Sequence, residues 1–240
     1  TVHALDLAER DFNAISDGQR QRVLLARAIA QEPEIIVLDE PTSFLDIRHK
    51  LELLGILRRM AKEKGITVVM SLHEIDLAQK IADKVLCVKG DTIDRFDAPE
   101  HIFQEDQIRA LYDIGEGFYD PMFGSVELKK PEGEPRTFVF SSSGNGIPVY
   151  RALVRENTPF VAGILYTNDV DYRLARLLAA EVICESPFRA IGDDAYARAS
   201  AALKNMTRAI DAGVEIGAEN VRMRALIEQA ARMGILESRN

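Results

Sequence analysis

Ile36-Val37-Leu38-Asp39-Glu40-Pro41 puts two adjacent carboxylates at the end of an apolar run, and His73 closes a second such run, Ile66 to Met70. A short, continuous aliphatic stretch reads as a strand covered on both faces. Paired acids at one strand end and an imidazole beyond the next are the groups that metal-assisted phosphate chemistry uses. One carboxylate serves Mg²⁺, one polarises a water, and the imidazole meets the leaving phosphate. The dipeptide Gly-Lys occurs nowhere in the 240 residues, so the phosphate loop G-x-x-x-x-G-K-[ST] is absent. Since the chain also begins at Thr1 rather than Met, the expectation is the C-terminal portion of a longer protein.

Working outward from these strands, Val23, Leu24, Ala26, Ala28 and Ile29 recur at helical spacing between Gln19 and Gln31, and Pro33 ends the pattern. Asp46 caps a second helix whose stripe, Leu51, Leu54, Ile56, Leu57 and Met60, runs to the stop at Lys64-Gly65. A helix at Asp76 to Ala82, a strand at Val85 to Val88 and a turn at Gly90-Asp91 follow. Strands alternating with helices predict a parallel sheet.

Between Gly115 and Arg136 glycines and prolines accumulate and no period persists, which marks a linker at 116–135 between a domain at 1–115 and one at 136–240. Alternation then resumes. Strands are expected at Thr137 to Phe140, Phe160 to Leu165 and Glu181 to Cys184, with helices at Pro148 to Arg155 and Val170 to Ala180. Two long helical patterns, Asp194 to Asp211 and Ala218 to Met233, finish the chain, with Met206, Ile210, Met223, Leu226 and Ile227 assigned to the core. The fold class is α/β throughout: a truncated nucleotide-hydrolase subdomain with parallel strands, followed by a smaller Rossmann-like domain.

Composition narrows the function. A net charge of -8 from 30 basic and 38 acidic residues argues against a broad nucleic-acid surface. Cys87 and Cys184 lie far apart in apolar segments and read as reduced thiols, which fits the cytoplasm. No apolar stretch approaches the roughly 20 residues that span a bilayer, so membrane contact is expected through a partner.

Ile15-Ser16-Asp17-Gly18-Gln19 opens the first helix. Alone it reads as an ordinary N-cap, though free N–H groups and the helix dipole suit phosphate there. With the helix from Gln19 to Ala28, then Ile36 to Pro41, Ser43-Phe44-Leu45-Asp46 and Ser71-Leu72-His73-Glu74, the order and spacing over residues 1 to 110 resemble the ATP-binding cassette (ABC) ATPases of membrane transporters. The likeness is greatest to uptake systems for iron-siderophores, haem and cobalamin. It implies ATP and Mg²⁺ as ligands. Ser16, Gly18 and Gln19 match the signature motif that caps the γ-phosphate held by a second ATPase subunit. Asp39 matches the Walker B acid that orients Mg²⁺, Glu40 the general base, Asp46 the D-loop acid and His73 the switch histidine. It further implies a homodimer sandwiching two ATP molecules on transmembrane permease subunits at the inner face of the membrane, served indirectly by a substrate-binding protein, with no nucleic-acid partner. Asp17 stands where the family's commonest signature has glycine. Without a phosphate loop, the expectation is that the chain alone hydrolyses ATP poorly. Arg20, Arg22 and Arg27 read as salt-bridge or solvated groups, and His3, His49 and His101 are assigned nothing.

In the second domain Phe138-Val139-Phe140 leads into Ser141-Ser142-Ser143-Gly144-Asn145-Gly146 and a helix, an arrangement that can cradle an anion. Asn168, Asp169 and Asp171 follow the next strand about where a ribose-binding acid falls, which nominates Ser143, Gly144, Asn145, Gly146 and Asp169 for a small ligand; a purely architectural turn is the rival. Val149 occupies the third glycine position. At the level of the whole chain, two rivals stand beside the transporter reading: a non-catalytic ligand-binding or regulatory module that uses the cassette remnant as scaffold, and a cassette protein of DNA repair or translation, disfavoured by the acidic second domain.

Overall fold

The computed structural model describes residues 5–43 and 45–238 and divides the chain into two compact units, one of Thr1–Tyr112 with Tyr119–Ser125, the other of Asp113–Phe118 with Val126–Asn240. Phe44 and His3 lie outside the described residues.

The N-terminal unit runs α1 (Asp17–Ile29), β1 (Ile35–Leu38), α2 (Ile47–Lys64), β2 (Thr67–Met70), α3 (Ile75–Ile81), β3 (Val85–Lys89), β4 (Thr92–Asp97), α4 (Pro99–Ile102) and α5 (Glu105–Leu111). β1 and β2 pair in parallel with Leu38 opposite Met70, so both strands end at the same edge. Leu25 of α1, Leu53, Ile56, Leu57 and Met60 of α2, and Ile36 and Ile66 form the core on one face of this pair. α2 starts at the Asp46 cap and stops at Gly65, whose φ of 68° is the left-handed conformation that glycine adopts without strain.

Two expectations are corrected here. β1 is covered on one face only: Ile36 is buried, whereas Ile35 and Val37 are 59% and 74% exposed. The third strand does not join the parallel pair; β3 turns back at Gly90 and pairs antiparallel with β4, which the polar string Thr92-Ile93-Asp94-Arg95 concealed.

A hairpin of β5 (Phe118–Asp120) and β6 (Ser125–Glu127) occupies the connecting stretch. The C-terminal unit then runs β7 (Thr137–Phe140), α6 (Ile147–Arg155), β8 (Phe160–Tyr166), α7 (Val170–Leu178), β9 (Glu181–Glu185), α8 (Asp193–Leu203), β10 (Arg208–Asp211), α9 (Arg222–Arg232) and β11 (Leu236–Ser238). Its parallel sheet has the order β11-β10-β7-β8-β9. That is the doubly wound order, with the direction of winding reversing between β7 and β10. Phe138, Phe140, Val161 and Ile183 pack against α8 and α9. The helical pattern expected over Asp194 to Asp211 breaks at Leu203: Lys204 to Thr207 turn the chain and Arg208–Asp211 becomes an inner strand. Met206 and Ile210 fall four residues apart and so mimic a helical period, but both are buried for different reasons, one under the sheet and one in it. β11, only three residues long, was equally hidden. Met206, Ile210, Met223 and Leu226 are buried and Ile227 packs beside them, as core residues do.

Candidate functional site

The common edge of β1 and β2 gathers Asp39, Glu40, Ser71 and His73. His73 Nε2 lies 2.6 Å from Glu40 Oε1, and Ser43 Oγ donates to Glu40 Oε2 at 2.9 Å. Ser71 Oγ donates to Asp39 Oδ1 at 2.7 Å and accepts the Glu40 N–H at 2.7 Å. Glu40 has a φ of 43°, unusual for a residue with a Cβ. The His73 hydrogen bond, followed by that from Ser43, holds the Glu40 carboxyl below its ordinary range, and the same Glu40 contact raises His73.

Beneath this edge, Thr42 is buried and its Oγ1 donates to Glu74 Oε2 at 2.9 Å, while Lys50 Nζ donates to Glu74 Oε1 at 2.5 Å. These bonds tie the loop after β1 and the start of α2 to the residue following His73, and they lower the Glu74 pKa, Lys50 most of all. Ser43, Ser71 and Glu74 lie within the sequence motifs without a role of their own there, and Thr42 and Lys50 fall outside every candidate set. Small hydroxyl residues next to candidate acids were the available signal.

The second group of candidates lies at the start of α1. Ser16 Oγ accepts the Gln19 N–H at 3.3 Å and Gln19 Oε1 accepts the Ser16 N–H at 3.0 Å, a reciprocal capping box. Asp17 pairs with Arg20 at 2.9 Å, and that guanidinium also donates to the carbonyls of Phe12 and Asn13. The carboxylate that departs from the family pattern is therefore partly neutralised within its own helix. A Cβ on Gly18 would come within 3.1 Å of Leu45 Cδ2, so the missing side chain lets α1 approach the loop that carries Asp46. Asp46 itself caps α2, accepting the His49 N–H at 2.9 Å with His49 Nδ1 2.9 Å from its other oxygen; the backbone bond is the chief cause of its lowered pKa. Thus Asp39, Glu40 and His73 share one cluster, Gly18 and Asp46 a second locality, and Ser16 and Gln19 engage each other.

In the C-terminal unit the loop after β7 sits at the reversal point of the sheet. Asn145 Nδ2 donates to Gly213 O at 3.0 Å, joining it to the loop after β10. Its N–H groups turn inward: that of Ser143 donates to both oxygens of Asp169, and that of Gly146 to Asp171 Oδ2 at 3.0 Å. Those donors are spent on carboxylates of the chain itself, and Gly144 lies between them against Val170. Asp171 is fully buried, its Oδ1 has no hydrogen-bond partner, and burial raises its pKa. Nearby, Ser141 Oγ and Tyr150 OH meet at 2.5 Å in the core.

Among the described residues no cluster of three or more His, Cys, Asp or Glu side chains forms a metal site, and no helix is long and apolar enough to cross a membrane.

Residues 1–43 match the ABC transporter family and residues 160–239 the MJ0874 family. The chain is 41% identical over 165 residues to an ABC transporter ATP-binding protein of Methanocaldococcus jannaschii, MJ0873, covering 68% of this chain and 57% of that one. It is 32% identical over 203 residues to the cobalamin import ATP-binding protein BtuD of Halobacterium salinarum, covering 81% and 51%. It is 37% identical over 132 residues to the petrobactin import ATP-binding protein FpuD of Bacillus anthracis, covering 55% and 48%. The chain spans about half the length of the curated relatives it matches. It is related by sequence to the ATP-binding proteins of ABC transporters, and the Halobacterium match is long enough to extend past the N-terminal unit into the C-terminal one.

Proposed function

We propose that this chain belongs to the ATP-hydrolysing subunit of an ABC importer whose cargo is an iron-siderophore, haem or cobalamin, a reading supported by its similarity to a cobalamin import and a petrobactin import ATP-binding protein. The observation that carries the reading is the convergence of Asp39, Glu40 and His73 at one strand edge, with Glu40 fixed in position by Ser43, Ser71 and His73. Glu40, its carboxyl held ionised, is placed to accept a proton from an attacking water, and His73 to donate to a phosphoryl oxygen. Asp39 fits Mg²⁺, a hard cation bound through one or two carboxylates together with the substrate's phosphates. Held there, Mg²⁺ would supply neutralisation of the charge on the phosphates. Ser16, Gly18 and Gln19 would face a nucleotide held by a second subunit, with Asp46 at the same boundary, and permease subunits would carry the assembly at the membrane. The domain limits 1–115 and 136–240 remain part of this reading, as does weak hydrolysis by the 240 residues alone.

Steady-state ATP hydrolysis by the intact polypeptide tests this. Glu40→Gln is expected to lower kcat by about 10²-fold or more while MgATP still binds. Equal turnover by parent and variant, or no turnover by the parent, would discard the reading.

A second reading, a small-ligand or regulatory module, is favoured by the sheet of the C-terminal unit, because ligands of doubly wound sheets bind where the strand order reverses. A ligand there would meet the exposed side chains of Ser143, Asn145 and Asn168. Calorimetry of the whole chain with nucleotides, corrinoids and haem, comparing the parent with Asn145→Ala, tests it; heat unaffected by the substitution counts against it.

A further inference from the structure

We propose that Ser71 is the positioning residue of the hydrolytic site, a single hydroxyl that sets the geometry of both acids at once. The proposal rests on the hydrolytic reading of Glu40. Ser71 follows β2 directly, and its N–H donates to Leu38 O at 3.1 Å, which continues the β1–β2 ladder by one rung and fixes where its side chain stands. From there its hydroxyl uses both of its capacities. The proton goes to Asp39 Oδ1 at 2.7 Å and a lone pair receives the Glu40 N–H at 2.7 Å.

The second bond matters because of the backbone it restrains. Glu40 has a φ of 43°, a conformation that is costly for a residue with a Cβ and persists only where neighbours over-determine it. Ser71 holds Glu40 through its N–H, and the Ser43 N–H holds it through its carbonyl at 3.1 Å. With both in place the Glu40 side chain is delivered to His73 at 2.6 Å. Without the hydroxyl, Glu40 can relax to negative φ, which swings its carboxylate off the imidazole, and Asp39 loses the donor that orients one of its oxygens. Ser71 touches no reacting atom in this scheme. It acts through Asp39 and Glu40.

Two measurements on Ser71→Ala and Ser71→Thr test the assignment. In crystal structures of this chain, the parent and Ser71→Thr should keep the left-handed φ at Glu40 and its contact with His73, because threonine retains the hydroxyl. In Ser71→Ala the Glu40–His73 distance should open beyond about 3.5 Å, where no hydrogen bond remains. In the intact polypeptide Ser71→Ala should lower kcat about 10²-fold with KM for ATP within about 3-fold, and Ser71→Thr should recover turnover to within about 3-fold of the parent. A Ser71→Ala structure with φ and contact unchanged overturns the proposal whether or not ATP is hydrolysed. An inactive parent whose Ser71→Ala structure opens as expected sinks the hydrolytic reading instead and leaves the positioning geometry standing.

Discussion

His73 Nε2 and Glu40 Oε1 stand 2.6 Å apart across 33 positions of sequence, brought together because β1 and β2 run parallel and end in register. Each residue stabilises the charged form of the other, so His73 is raised above 6.5 and Glu40 lowered below 4.5. A raised histidine contributes stability that is complete below 6.5 and is lost as pH rises through its folded value. A lowered carboxyl contributes above 4.5 and is lost as pH falls through its folded value. The pair therefore supports the fold most between those two ordinary values. Glu40→Gln removes the carboxylate, and NMR titration of the His73 imidazole should then show its pKa falling toward 6.5; an unchanged titration would mean that the contact is not formed in solution.

Gly146 is held by close packing rather than by backbone conformation. A Cβ there would lie 2.6 Å from Tyr150 Cζ and 2.7 Å from both Ser141 Oγ and Tyr150 OH. Tyr150 cannot move aside, being fully buried, bonded to Ser141 and stacked on Phe160 with ring centroids 5.2 Å apart. Gly146→Ala should destabilise the chain by about 1–3 kcal/mol, read from urea unfolding followed by circular dichroism.

What the sequence made legible follows from how many residues each element offers to a periodicity. α2 shows both of its caps and most of its stripe, so its limits could be read nearly to the residue, although Leu51 of the expected stripe is exposed and Leu53 is buried in its place. β10 and β11 hold four and three residues, too few for a pattern of two, and β10 was absorbed into the Ala-rich helix before it. For the site, Asp39, Glu40 and His73 were legible because their spacing follows two strand ends. The loop after β7 was legible as a glycine-rich turn, but the direction of its N–H groups was not. That depends on Asp169 and Asp171 arriving from α7, a tertiary fact that no local pattern carries.

Ser16 can be tested for its two roles separately. As N-cap of α1 its hydroxyl satisfies the Gln19 N–H, and Ser16→Ala should cost about 1 kcal/mol of stability. Ser16→Asp preserves the cap, since aspartate is as good an N-cap as serine, and should unfold at nearly the parent's urea concentration. In the proposed dimer, however, it places a charge against the triphosphate. Chain stability near that of the parent combined with loss of ATP-driven dimerisation, measured by light scattering on the intact polypeptide, is the expected outcome for Ser16→Asp.

Asp171 carries a fold-level prediction whose sign is opposite to that of Glu40. Burial raises its pKa because the ionised form is poorly solvated, even though Gly146 donates one hydrogen bond and Ser141 stands close by. A carboxyl raised in the folded state binds its proton more tightly there than in the unfolded chain. Its contribution is therefore favourable toward 3.8 and is lost as pH climbs through the folded value. Asp171→Asn keeps an oxygen for the Gly146 N–H and removes the buried charge. At pH 7 the variant should be more stable than the parent by on the order of 1 kcal/mol, and the advantage should shrink as pH approaches 4. Urea titrations of the parent and Asp171→Asn at both pH values decide it: a variant less stable than the parent at pH 7 would mean that the ionised carboxylate, and not its shape, holds the loop after β7 in place.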